Sequence, residues 1–230
     1  MASSGPGRAA RLSGSRGQGM PPLLAASPLM ALAAFGVLAA LVRAGRTDRL
    51  DRALTRAVQR RQPAWLARLS AAVAWPGYPP QSRLLPPLVM AGLWLRGWRL
   101  EAVCTLLGWG TGALSTLVKD LADRPRPPEV GLPAAPAALR GSSFPAGHVM
   151  TYVGVYGFLA YCLHGRGRRV AAAALAGLVV LVGPSRVQQG HHWPSDVLGA
   201  YLLGGSSLLG VVGLYRRLRR PLPGSGRSTG

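Results

Sequence analysis

Residues 23–42 read LLAASPLMALAAFGVLAALV, twenty positions with no charged side chain. At about 1.5 Å of rise per residue, a helix over this run would be about 30 Å long, the thickness of the hydrocarbon layer of a bilayer. A cleaved signal peptide has an apolar core of only about 7–15 residues, so the run reads as a retained membrane anchor.

The remainder of the chain carries the same signature. Of its 230 residues 49% are hydrophobic and only 15% charged, too few charges to cover a soluble surface of this size. Five further apolar runs occupy residues 84–95, 102–118, 149–163, 170–182 and 197–215. The runs at 84–95 and 170–182 are short, and stretches of about 10–14 residues also serve as buried or re-entrant segments. The expected architecture is all-α, a polytopic membrane bundle of about six transmembrane helices. Residues 1–19 read as a disordered basic leader, 20–83 as the first span with an interfacial helix, 84–216 as the core and 217–230 as a polar tail.

Between the first two runs, Arg46, Arg49, Arg52, Arg56 and Arg60 recur every three or four residues, with Leu50, Leu54 and Val58 on the other side, until Pro63 stops the pattern. That spacing predicts an amphipathic helix lying on the membrane surface, with a solvated loop helix as the alternative. The formal net charge is +20, supplied almost wholly by arginine, since Lys119 is the one lysine. A balance this basic suits nucleic acid, an anionic membrane or a phosphorylated substrate. The charges lie between apolar runs, which favours lipid headgroups and argues against nucleic acid as a partner.

With six crossings, the leader, Arg96 with Arg99, the stretch Arg166, Arg168, Arg169 and the tail Arg216, Arg217, Arg219, Arg220 share one side, as expected of the cytoplasm. The arginine-striped helix would break that rule by sitting outside. Cys104 and Cys162 fall inside apolar runs, where a thiol behaves as a small hydrophobe.

Six polar residues are out of place in such a chain: Lys119, Arg126, His148, Arg186, His192 and Asp196. All occur at ends of apolar runs, and the parity of crossings puts all six on one membrane face. A phosphoryl group in transfer spreads charge over its non-bridging oxygens, and Lys119, Arg126 and Arg186 are three fixed cations able to stabilise it. His148 and His192 each precede a helix, whose free N–H groups and dipole favour a bound phosphate. His192 and Asp196 are four apart and share a helix face if Pro194 occupies the first turn. A carboxylate on one ring nitrogen would fix the tautomer and free the other nitrogen to attack phosphorus. Protonated His148 could then give its proton to the leaving oxygen.

At these residues the sequence resembles the type 2 phosphatidic-acid phosphatase family, which includes bacterial acid phosphatases and vanadium haloperoxidases. The signature K-x6-R-P matches Lys119 through Arg126-Pro127, P-S-G-H matches Pro145-Ala146-Gly147-His148, and S-R-x5-H-x3-D matches Ser185-Arg186, His192 and Asp196. The resemblance covers roughly residues 84–215. It implies His192 as a nucleophile forming a phosphohistidine, Asp196 as its partner, and His148 as general acid. It also implies that Lys119, Arg126, Ala146, Gly147 and Arg186 hold phosphate. A helical bundle in the cell membrane with its site on the extracytoplasmic side is implied too, with no cofactor and no metal.

One departure is Ala146, where the pattern has serine, so one hydroxyl donor is missing. The N–H groups of Ala146 and Gly147 and the hydroxyls of Ser142 or Ser143 are candidate substitutes. Asp120, Asp123 and Glu129 lie near the first motif, but basic neighbours Lys119, Arg124 and Arg126 argue against a metal there. His191 is off the motif register, and His164 goes with the basic stretch on the opposite face. Gly108 and Gly112 form a small-xxx-small pair suited to close helix packing. The segment 127–145 is expected to be an outer loop over the site.

The expected substrate is a lipid phosphate monoester or diphosphate, such as phosphatidic acid, phosphatidylglycerol phosphate or an isoprenyl diphosphate. A membrane protein that binds lipid phosphate without turnover is the alternative. A vanadate-dependent haloperoxidase shares the anion pocket but is disfavoured by the repeated spans.

Overall fold

The computed structural model describes residues 22–60, 63–128 and 141–219, with side chains from residue 27 onward. The expected leader and most of the expected tail lie outside the described residues, as do residues 129–140 of the expected outer loop and Glu129 with them. Within the described residues the chain is helical without strands. The elements are α1 (Pro22–Arg43), α2 (Asp48–Gln59), α3 (Ala64–Ala74), α4 (Gln81–Leu95), α5 (Arg99–Ala122), α6 (Gly147–Tyr152), α7 (Phe158–Gly165), α8 (Arg169–Gln188) and α9 (Pro194–Leu218). A 3-10 turn, Trp75–Gly77, follows α3, and a π-helical turn, Val153–Gly157, joins α6 to α7.

Polar ties at the two ends fix the helix directions. At one end Glu101 at the start of α5 accepts hydrogen bonds from Arg166, just past α7, and from Tyr215 near the end of α9. At the other end Arg124, just past α5, binds Asp196 in the first turn of α9, whose carbonyl accepts the Ala146 N–H that precedes α6. The α6–α7 leg and α9 therefore run antiparallel to α5.

Between the ties the packing is apolar and close. Gly108 of α5 meets the π turn so tightly that a Cβ there would lie 2.4 Å from the carbonyl oxygen of Gly154. Phe35 of α1 stacks on Phe144 at 5.7 Å. In α8 Pro184 has no N–H to give the Val180 carbonyl four residues back. The Tyr201 hydroxyl, reaching from α9, lies 2.8 Å from that carbonyl and accepts from the Gly183 N–H at 3.1 Å. The repair keeps the last turn of α8, which carries Arg186, helical.

Among the described residues two helices, Arg169–Gln188 and Pro194–Leu218, are long and apolar enough to cross a membrane. Ser27–Arg43 and Asp48–Gln59, which meet at 95°, add a third if they form one broken span. The short apolar run at 170–182 is thus extended by its flanks, whereas α4 remains 15 residues long and contains Pro86 and Pro87. Outward-facing Leu29, Leu88, Leu117 and Val180 are each more than 60% exposed, a surface suited to lipid and not to water.

Helix α2 forms over the expected segment and buries a narrow polar strip beside its arginine and leucine stripes. Asp51 and Thr55 point inward, while Leu50, Leu54 and Val58 remain exposed. Leu54 and Val58 border an open apolar groove of about 600 Å³ shared with Val180, Pro184, Val187, Leu198 and Tyr201 of α8 and α9. Polar partners explain the choice: Asp51 meets Ser195 and Arg124, and Gln59 donates to the Val187 carbonyl.

Candidate functional site

The six residues singled out in the sequence gather at the end of the bundle where α5 and α8 finish and α6 and α9 begin. The end of α5 sets the first group. Asp123 takes a left-handed conformation, φ 38°, which closes the helix and turns the Arg124–Pro127 segment back across the bundle end. Lys119 lies in the last turn of α5, with Nζ 3.7 Å from where a Cβ on Gly147 would sit. Gly147 thus leaves room between Lys119 and the first turn of α6. Arg126 donates from Nη1 to the His191 carbonyl at 2.9 Å and from Nη2 to the Ser142 carbonyl at 3.5 Å, while its Nε has no protein partner among the described residues.

Arg186 is fully buried. Its Nη2 donates to the Tyr78 hydroxyl at 2.6 Å, and that hydroxyl donates to Oε1 of Gln189 at 3.1 Å. Nε and Nη1 of Arg186 have no partner among the described residues. Tyr78, in the turn before α4, also lies edge-on to His148 at 5.5 Å and to His191 at 6.3 Å. Beneath it Gly77 makes space for His148, whose Cδ2 would be 2.4 Å from a Cβ at that position. His148 is the second residue of α6, not a residue ahead of it, and its Nε2 is buried without a partner among the described residues.

His192 is 2% exposed. The sequence reading gives its ring to Asp196, and that carboxylate does lie within ion-pair distance, with a backbone carbonyl closer still. Nδ1 lies 2.8 Å from the Ser143 carbonyl and 3.7 Å from Oδ2 of Asp196. A carbonyl only accepts, so Nδ1 carries the proton and Nε2 keeps its lone pair. Asp196 is committed elsewhere: Oδ2 caps α9 by accepting the Trp193 N–H at 2.8 Å, and Oδ1 accepts from Arg124 Nη1 at 2.6 Å. Pro194 is the first residue of α9, so the carboxylate sits at the third helical position, from which it reaches back to its own helix start.

Three of the four candidate substitutes for the missing motif serine are engaged. The Ala146 N–H donates to the Asp196 carbonyl at 3.1 Å and is not available to a ligand. The Ser143 hydroxyl donates to the Pro125 carbonyl at 3.2 Å. Ser142 accepts from the Arg124 N–H at 3.0 Å and donates to the Phe144 carbonyl.

Electrostatics follow from burial beside cations. Burial, then Arg186, His192 and Arg126, lower His191 to about 4. Burial likewise lowers His192 against the pull of Asp196. Both rings are neutral at pH 7. Lys119, Arg126 and Arg186 repel a divalent cation and suit an oxyanion, and no cluster of three His, Cys, Asp or Glu able to hold a metal occurs among the described residues.

Three residues of this neighbourhood escaped the sequence reading. Tyr78 stands in a proline-rich turn, Arg124 passed as a basic neighbour, and Asp51 was hidden in an arginine-rich helix. His191, off the motif register, contributes its carbonyl to Arg126. His164 lies at the end of α7, away from the site.

Comparison with known proteins points the same way. The PAP2 superfamily profile matches residues 99–220. The phosphatidylglycerophosphatase B of Bacillus subtilis (strain 168) is 32% identical over 197 residues, covering 81% of this chain and 93% of its own length. A crystal structure of a transmembrane PAP2 type phosphatidylglycerolphosphate phosphatase from Bacillus subtilis is similar with a TM-score of 0.72 and 27% identity, covering 85% of this chain and 98% of that one.

Proposed function

Since this chain belongs to the PAP2 superfamily and is a membrane-associated lipid phosphatase, we propose that it releases phosphate from a phosphatidylglycerophosphate-type monoester through a phosphohistidine on His192. One observation carries the site assignment. Of the five buried side-chain nitrogen or oxygen atoms without a partner among the described residues, four are Arg126 Nε, His148 Nε2, and Arg186 Nε and Nη1. A buried donor left unmade costs about 1–3 kcal/mol, and an oxyanion with several lone pairs would satisfy these together.

Nε2 of His192 attacks phosphorus as the bond to the leaving oxygen breaks. His148 gives a proton to that oxygen, and its ring becomes able to carry one because the substrate's negative charge offsets the surrounding cations. His148 then takes a proton from the water that attacks the phosphohistidine, which releases phosphate and restores His192. Lys119, Arg126 and Arg186 stabilise the charge on the equatorial oxygens, and the Asp196 carboxylate offsets the cationic His192 ring. No step needs a metal, and activity is expected to survive EDTA.

The proposal includes six crossings, formed by α1, α4, α5, α6–α7, α8 and α9, with the site on the extracytoplasmic face. Support comes from the antiparallel ties and from Arg96, Arg99, Arg166 and Arg168, which lie at the opposite end. Purified protein assayed against phosphatidylglycerophosphate, phosphatidic acid and an isoprenyl diphosphate is expected to release phosphate fastest from the first and to trap radiolabelled phosphate. Loss of both signals in His192→Ala supports the reading. Trapping that persists in that variant would overturn it, and a preference for another lipid would overturn the substrate alone.

A further inference from the structure

Asp51 belongs to none of the three motifs and precedes the residues matched by the family profile, yet it is 2% exposed and sits against the catalytic turn. Its Oδ1 accepts the Ser195 N–H at 2.9 Å, and its Oδ2 accepts the Ser195 hydroxyl at 2.6 Å. The same Oδ2 accepts from Arg124 Nη2 at 2.7 Å, while Arg124 Nη1 binds Oδ1 of Asp196 at 2.6 Å. One guanidinium is therefore held between two buried carboxylates, one on α2 and one on α9. Thr47 also accepts from Nη2, at 3.2 Å, and Asp48 lies 3.5 Å away at the rim.

The charge count matters because of what faces His192. Arg126 and Lys119 approach from the α5 side, His148 from α6 and His191 from the preceding position, and Asp196 is the acidic group nearest the ring. Were Arg124 paired with Asp196 alone, the two charges would cancel. A His192 ring made cationic by bonding to phosphorus would then face cations with little to offset them.

We propose that Asp51 is a positioning residue for phosphoryl transfer: by sharing Arg124 with Asp196 it fixes the first turn of α9 and leaves one net negative charge beside His192. The inference rests on His192 being the nucleophile. It gives α2 a task in the site, since the helix supplies the counter-charge that makes the arginine tolerable there.

The test compares a ground-state with a transition-state mimic in the full-length protein in detergent. Orthophosphate binds as an anion, whereas orthovanadate can bond to the histidine ring and make it cationic. Asp51 acts on the ring through Arg124 and Asp196, and a change of about one titration unit at His192 is equivalent to roughly a tenfold change in equilibrium or rate. Asp51→Asn is expected to weaken vanadate binding, followed by vanadium NMR, roughly tenfold while phosphate binding stays within about threefold. In the same variant kcat should fall by a similar factor with KM little changed. Asp51→Glu should restore part of the vanadate preference. Equal weakening of both anions, or of neither, overturns the proposal. If Asp51→Asn does not fold, the double variant Asp51→Asn with Arg124→Gln, which removes one charge of each sign, should keep the wild-type preference, and its loss would also overturn it. Binding is read without turnover, so phosphate release persisting in His192→Ala would reject the nucleophile assignment by a separate measurement.

Discussion

The guanidinium of Arg124 lies 2.6 Å from the carboxylate of Asp196, closer than that carboxylate comes to His192 at 3.7 Å. The acid four residues beyond the proposed nucleophile thus shapes the turn and its charge, while a backbone carbonyl sets the tautomer of the ring.

Arg124→Ala should be among the most damaging single changes outside the motif residues. It leaves Asp51 and Asp196 buried without their shared cation, a type of loss that costs about 3–5 kcal/mol. Unfolding in detergent should show that destabilisation, and phosphate release should fall at least about 100-fold at a temperature where the variant is still folded. Arg124→Lys, which cannot span both carboxylates, should fall between.

Tyr78→Phe removes the acceptor of Arg186 Nη2 while keeping the ring against His148. A hydrogen bond to a charged group is worth about 1.5–3 kcal/mol, so inhibition by inorganic phosphate should weaken by about ten- to a hundredfold. Unchanged inhibition would show that Arg186 is oriented without the tyrosine.

Ala146→Ser restores the hydroxyl found in the family pattern. If that hydroxyl reaches phosphate, turnover should rise by about one to two powers of ten, matching the same hydrogen-bond energy. The site lacks an alternative hydroxyl donor at Ser142 and Ser143, both already engaged, so the gain is not masked. Equal or lower turnover would remove this position from the phosphate-binding set.

Acid should destabilise the protein before carboxylates titrate. His191 has a folded value of about 4, against an ordinary 6.5 when unfolded. Below pH 6.5 the unfolded chain therefore binds more protons, and stability falls as pH drops toward the folded value, by up to about 1.4 kcal/mol per pH unit. Melting temperatures recorded between pH 7 and 5 should show the decline.

Gly108→Ala should destabilise by about 1–3 kcal/mol, because the new methyl would meet the Gly154 backbone at 2.4 Å. Gly110→Ala on the same helix meets nothing within 4 Å and serves as the control.

What the sequence made legible was local or additive. Apolar runs report helices because each residue contributes independently to burial, and run ends show where polar residues collect. The pair His192 and Asp196 was readable as neighbours from helical spacing, but not the capping bond that turns the carboxylate toward Trp193. Tyr78, Arg124 and Asp51 were illegible for a different reason: each is defined by a partner more than 70 residues away. In α2 the arginine and leucine stripes said nothing of the polar strip between them, where Asp51 and Thr55 face inward.

Glu101 at one end and Arg124 at the other bolt α5 to α9 twice. Sliding α9 along its axis by one turn, about 5.4 Å, would tear out both fastenings together. The pair therefore has a single permitted alignment, and heating should melt the two helices in one step.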